Sequence, residues 1–143
     1  MDRPKLRQRL TAKEGLKYDA YRDSLGFWTI CVGHFLGTSA AYAGTTYSPE
    51  KCSCLLDKDI DTAEKEASSY NFYSDLDSPR QNVVVELTFN MAHKLDGFHK
   101  FLTAMERKDY TQAGAELKDS VAYKQEPKRF DELIKALASG AYP

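Results

Sequence analysis

Strand-forming chemistry in this chain is confined to one short stretch, and that confinement limits what the remainder can build. Tyr18, Ala20 and Tyr21 lead into the turn residues Asp23, Ser24, Leu25 and Gly26, and Phe27, Trp28, Thr29, Ile30, Cys31 and Val32 follow. Aromatic and β-branched side chains around a turn read as a β-hairpin. Before it, Pro4 suits a first helical turn, Leu6 and Leu10 share a face, and Gly15 can stop the helix in a left-handed cap. Glu14 then falls at the helix's C-terminal end. A rival reading makes Thr11 an N-cap and Glu14 its capping-box partner. The extended segment that begins just after Gly15 favours the first.

Beyond the hairpin, Gly33 to Tyr47 is rich in small, turn-forming residues and reads as a loop or a minor extra strand. Ser48 and Pro49 suit an N-cap and a first helical position, opening a helix whose apolar face is Cys52, Leu55, Leu56, Ile60, Ala63 and Ala67. A second start follows at Ser78 and Pro79, with Gln81 three residues after a serine cap. It leads into Val83, Val84, Leu87, Thr88 and Met91, apolar enough to predict a buried central helix. Helical spacing continues through Phe98, Phe101, Leu102 and Met105, then Tyr110, Ala113 and Leu117, then Phe130, Leu133, Ile134 and Leu137 before Gly140. There is no internal repeat, no low-complexity linker and no heptad run. The expectation is a mainly helical α+β fold in a single domain over residues 1–143. It would have a small β lobe at about 15–47, a linking helix at about 49–69, and a helical lobe at about 78–140 that also takes the N-terminal helix.

Twenty basic and twenty-one acidic side chains give a formal net charge of -1, which argues against a dedicated nucleic-acid binder. Met1 to Arg22 nonetheless carries seven basic residues against three acidic ones. That excess reads as a solvated helix face, with attraction to an anionic envelope polymer as the sharper alternative. No apolar run approaches the roughly 18 residues needed to span a bilayer. Met1 to Leu10 is polar rather than signal-like, so the chain is expected to start in a cytoplasm. The cysteines, Cys31, Cys52 and Cys54, are too few and too close together for a structural zinc site, and no metal or cofactor is expected. Reduced, partly buried thiols are the default for them. A disulfide from Cys31 to Cys52 or Cys54 would need an oxidising compartment and a suitable fold.

Glu14 precedes Asp23 by nine residues, and Asp23 precedes Thr29 by six. Two carboxylates and a hydroxyl around one short turn are the parts needed to protonate a glycosidic oxygen and to position a water on the opposite face of the sugar. A helix C-terminus opposes negative charge and favours the protonated form of Glu14, which suits a general acid. Read singly, Glu14 is a surface glutamate, Asp23 a turn residue whose carboxylate bonds backbone amides, and Thr29 an ordinary strand former. The spacing is what joins them.

Leu10 to Leu36, LTAKEGLKYDAYRDSLGFWTICVGHFL, resembles the active-site segment of the phage-type lysozymes, the endolysin muramidases. The family pattern is a glutamate followed by glycine, an aspartate, a threonine and a nearby Gly-His; Glu14 with Gly15, Asp23, Thr29, and Gly33 with His34 match it. LLDKDIDTA from Leu55, LTFNMA from Leu87, and the segments Phe98 to Ser120 and Gln125 to Gly140 resemble the family's later helices. The resemblance implies a lysozyme-like fold and hydrolysis of the β-1,4 bond between N-acetylmuramic acid and N-acetylglucosamine in peptidoglycan. Glu14 would be the general acid, with Asp23 and Thr29 activating or positioning water. Phe35 and Asn90 match sites lining the saccharide cleft, His34 and Asp59 match a structural ion pair, and Arg129 matches a basic residue that pairs with the catalytic glutamate. A stand-alone monomeric lysis protein is implied, moving from the host cytoplasm to the periplasm and wall once a separate protein permeabilises the membrane. A lytic transglycosylase and a virion- or toxin-associated muramidase are the alternatives. Two departures stand out: Cys31 replaces a small glycine, and Ala122 stands where many members have tryptophan.

Overall fold

The first helix, α1, spans Arg3–Glu14 with Leu6 and Leu10 buried. It ends where the sequence predicts, at Gly15, whose φ of +78° closes the turn as its N–H donates to the Thr11 carbonyl at 3.0 Å. The chain next forms a three-stranded antiparallel sheet in the order β1-β2-β3, with β1 at Lys17–Arg22, β2 at Trp28–Cys31 and β3 at His34–Gly37. The extra strand allowed for after Gly33 is therefore present. A short 3-10 turn at Ala40–Tyr42 precedes α2, Pro49–Ser68, where the Lys51 N–H donates to the Ser48 hydroxyl as an N-cap serine requires. The remaining helices are α3 Ser78–Met91, α4 His99–Glu106, α5 Tyr110–Lys118, α6 Val121–Gln125 and α7 Pro127–Ser139.

The computed structural model describes residues 1–143, and they divide into two units, Pro4–Thr62 and Met1–Arg3 with Ala63–Pro143. In the first, Ile30, Cys31 and Cys52 form a buried cluster against which Ala20, Leu36, Tyr47 and Leu55 pack. Here the expectation of free thiols is corrected: Cys31 and Cys52 form a disulfide, and only Cys54 is free, on the surface. The sequence separates the two cysteines by 21 positions, but the end of β2 lies directly against the first turn of α2. Cys54, two positions further along the helix, faces away, because helical neighbours at that spacing do not share a face.

In the second unit α3 is buried on almost every side, as its apolar run predicts, with Val83, Val84, Val85 and Leu87 fully enclosed. Its cap differs from the expected one. Asp77 accepts from the Arg80 N–H, so the helix begins at Ser78, one residue after its cap, and Gln81 donates to the Tyr73 carbonyl instead of closing a capping box. Asp and Ser cap about equally well, so the Asp-Ser-Pro run leaves the choice to surrounding geometry. Gly114 lets α5 and α7 approach closely, since a Cβ there would lie 2.8 Å from Ile134 Cγ2.

Glu86, in the middle of α3, is completely buried and fully engaged. Arg129 Nε donates to its Oε2 at 2.9 Å and the Tyr142 hydroxyl to its Oε1 at 2.5 Å, while Arg129 also meets Glu126 at 3.3 Å. This network adds a charged fastening of α7 and Tyr142 to α3 beside the buried apolar face of Phe130, Leu133 and Leu137.

Two stability outcomes follow from these contacts. Replacing Cys31 and Cys52 together by alanine should destabilise the protein by about 3 kcal/mol, the loop-closure value for a cross-link of this span; urea denaturation of the oxidised protein and the variant measures it. Glu86→Leu leaves the buried Arg129 without its closest carboxylate and should lower the unfolding free energy by about 3 kcal/mol, again read from the urea midpoint.

Candidate active site

The hairpin turn is built on Asp23. Its N–H donates to the Phe27 carbonyl at 2.8 Å, and its Oδ1 accepts from both Leu25 N–H and Phe27 N–H at 2.9 Å. Asp23 is thus the turn residue its sequence position suggests, but only one oxygen is used. Its Oδ2 makes no hydrogen bond within the protein. The carboxylate is held in orientation by two amides and keeps a free oxygen for something else.

Register then arranges the neighbouring side chains. Tyr21 on β1 pairs with Thr29 on β2, which pairs with Phe35 on β3. Residues directly opposite in antiparallel strands point to the same face, so these three form one row across the sheet. Arg22 and Trp28 form the adjoining pair on the opposite face, where the guanidinium lies 5.0 Å from the indole centroid. Thr29 is buried, and its hydroxyl donates weakly to the Phe27 carbonyl at 3.3 Å, leaving its lone pairs available. Phe35 is 58% exposed and meets the Phe27 ring edge-on, centroids 5.5 Å apart.

Glu14 enters from the end of α1. It is half-buried, and Gly33 packs directly on it: a Cβ at Gly33, whose φ is +60°, would sit 3.1 Å from Glu14 Oε2. Both carboxylates also act on Tyr21. Burial pushes the phenol up from its ordinary range, and the charges of Glu14 and Asp23 push it further in the same direction. The hairpin and the end of α1 bring Glu14, Asp23, Thr29 and Phe35 around Tyr21, a residue that sequence reading passed over as a plain strand former.

The turn from Cys31 to His34 is fastened to α2 twice, by the disulfide and by His34 Nδ1, which lies 2.7 Å from Asp59 Oδ2. The expected His34–Asp59 pair is present. Asn90 and Arg129 belong to the other unit. Asn90 donates to Glu126 Oε1 at 3.2 Å and lines a cavity of about 650 Å³ with Met91, Phe98, Phe101, Val121 and Ala122. Arg129 is engaged by Glu86 and Glu126 as described. No cluster of three or more metal-ligating side chains occurs in the structure.

A half-buried carboxyl at a helix end, a second carboxylate with one free oxygen and a hydroxyl beside it can donate a proton to a leaving oxygen and hold a water, which is the equipment of a glycoside hydrolase. Residues 11–136 match the model of the phage lysozyme family, and the chain belongs to that family. It is 28% identical to probable T4-type lysozyme 2 of Dictyostelium discoideum across 94% of each chain. It is also 31% identical to the SAR-endolysin of Enterobacteria phage P21, over 54% of this chain and 46% of that one. The protein is a glycoside hydrolase of the muramidase type.

Gly33→Ala tests the packing of Glu14. A side chain at that φ is strained by about 1–2 kcal/mol, and its Cβ must displace the Glu14 carboxylate. The variant should fold with a slightly lowered melting temperature yet lose most of its wall-degrading activity, measured as turbidity loss of a wall suspension.

Proposed function

We propose that this muramidase hydrolyses the β-1,4 bond between N-acetylmuramic acid and N-acetylglucosamine in bacterial peptidoglycan, with Glu14 as general acid and Asp23 and Thr29 holding the attacking water. The observation that carries this reading is the division of labour within Asp23, whose Oδ1 is committed to two backbone amides while its Oδ2 is left without a partner. In the reaction, Glu14 gives its proton to the glycosidic oxygen as the bond from that oxygen to the anomeric carbon breaks. A water oxygen bonds to the anomeric carbon, and the proton it loses passes to Asp23. Thr29 accepts the water's other hydrogen and fixes its lone pair toward the carbon. Phe35, exposed beside this row, supplies an apolar face for a sugar ring, and Asn90 supplies an amide to the same polymer. His34 and Asp59 hold the small lobe, and Arg129 is structural. The two lobes and their linking helix act as one catalytic domain.

The setting that fits best is lysis of a bacterial host by a monomeric endolysin, as the names of the phage relatives suggest. Passage from the cytoplasm to the wall is assigned in this reading to a separate protein that permeabilises the membrane. A lytic transglycosylase would close an anhydro ring with one acid and no water, and would have no use for a free Asp23 oxygen next to Thr29. The disulfide suits a protein that works in an oxidising compartment outside the cytoplasm.

Purified protein and its Glu14→Gln variant, given isolated peptidoglycan, test the assignment. Mass spectrometry should find reducing muramic ends from the wild type, and the variant should be slower by about 10²–10⁴-fold, the range for loss of a general acid. Anhydro ends from the wild type would replace hydrolysis by transglycosylation; equal rates from both proteins would sink Glu14 as the acid.

A further inference from the structure

The row across the sheet contains one polar group that the mechanism above does not use. Tyr21 stands directly opposite Thr29 in the β1–β2 register, on the same face. Its hydroxyl makes no hydrogen bond within the protein, and the contact its ring makes is with Lys17, whose Nζ lies 4.6 Å from the centroid. The side chain is only partly buried. A phenol left unpaired beside two carboxylates has no evident structural duty, because the ring alone would fill the same space.

We propose that Tyr21 is a further catalytic residue, whose hydroxyl donates a hydrogen bond to the attacking water and completes the set of groups that orient it. This rests on the hydrolytic reading given above. The geometry of water supplies the reasoning. A nucleophilic water has two hydrogens and two lone pairs. Asp23 Oδ2 and Thr29 Oγ1 are acceptors for the hydrogens, and one lone pair must face the anomeric carbon. The fourth position is open to a donor, and neither Asp23, which receives the water's proton, nor a threonine whose proton is turned to the Phe27 carbonyl supplies one. Tyr21, across from Thr29, carries an O–H with no other partner. The charges of Glu14 and Asp23, together with burial, hold the phenol in its protonated form, so it remains a donor through the neutral and mildly alkaline range. Lys17 over the ring and Thr29 beside it restrict where the hydroxyl can point. During the reaction Tyr21 keeps its proton. The water's own proton leaves to Asp23 as the new bond to carbon forms, and the Tyr21 hydrogen bond passes from the water oxygen to the product hydroxyl.

Tyr21→Phe isolates this hydroxyl while keeping the ring. With peptidoglycan fragments of defined length as substrate, kcat should fall about 10-fold, the worth of one net hydrogen bond, with KM and melting temperature unchanged. Site-specific 3-fluorotyrosine at position 21 retains the donor and should restore wild-type kcat at neutral pH. A Tyr21→Phe enzyme within twofold of wild-type kcat would overturn the proposal, as would a loss carried by KM or by melting temperature. The Glu14→Gln variant serves as the inactive control, so a failure of Tyr21 alone is distinguishable from a failure of the muramidase reading. A wild type inactive on peptidoglycan would overturn both.

Discussion

The site depends on one constraint, the double attachment of the Cys31–His34 turn to α2. Cys31 at φ +59° and Gly33 at φ +60° bend the chain sharply after β2. A non-glycine residue in that region is strained, so the bend persists only if something holds it. The disulfide to Cys52 and the His34–Asp59 pair do so from either side of Gly33. With the turn held, Gly33 presses on Glu14, β3 leaves in register, and Thr29 is brought between Tyr21 and Phe35. The two attachments differ in kind. The ion pair is partly solvated, with side chains about a quarter exposed, and contributes modestly. The disulfide is enclosed, with both cysteines almost wholly buried, and acts mainly by limiting the unfolded chain. Cys31 thus exchanges the backbone freedom that a glycine would have for a covalent tie at the same point.

The second constraint is electrostatic. A carboxylate that accepts two backbone amides is oriented at little entropic cost, because the turn it closes would form in any case. Asp23 therefore closes the turn with one oxygen and, in the proposed mechanism, serves the chemistry with the other. Glu14 is positioned by other means, among them a helix end and a glycine that admits its side chain. The small lobe reaches this precision with few residues because backbone hydrogen bonds, rather than a large apolar core, determine where its polar groups lie.

Much of this was legible from the chain. The hairpin, the stop at Gly15, the Ser48–Pro49 start, the buried character of α3 and the spacing of Glu14, Asp23 and Thr29 are local signals, and local signals survive folding when they agree with one another. What escaped reading depends on distance. The Cys31–Cys52 bond joins positions whose proximity exists only once β2 has docked on α2. Tyr21 looked like any strand aromatic, since its partner is set by register, and β1 shifts register between Lys17 and Tyr21. Glu86 drew no notice within the apolar run of α3, because its partners lie 43 and 56 positions away. The Asp77 cap was missed for the opposite reason, because two neighbouring residues offered the same chemistry.

The helical unit holds its last segments with bonds of a different kind from those of its core. Ala122 lines the cavity beside Asn90, where the family resemblance implies a tryptophan whose indole would occupy part of that space. Burying an aromatic side chain is worth about 1.5–3 kcal/mol, and α6 lacks that contribution. Its place is fixed by directional contacts instead. The Ser120 hydroxyl donates to the Leu117 carbonyl at 2.6 Å and accepts from Tyr123 N–H at 3.1 Å, and the Tyr123 hydroxyl donates to Asp131 Oδ1 at 2.8 Å. Each such bond is worth about 1 kcal/mol net where it is sheltered and less at the surface, where water competes. Val121, 71% exposed, adds nothing to the core. α6 is consequently held through Ser120 and Tyr123 rather than by burial of its own apolar side chains. Asn90 bonds Glu126, the residue that joins α6 to α7. Glu126 also meets Arg129, so one carboxylate connects Asn90 to the Glu86–Arg129–Tyr142 network that anchors α7.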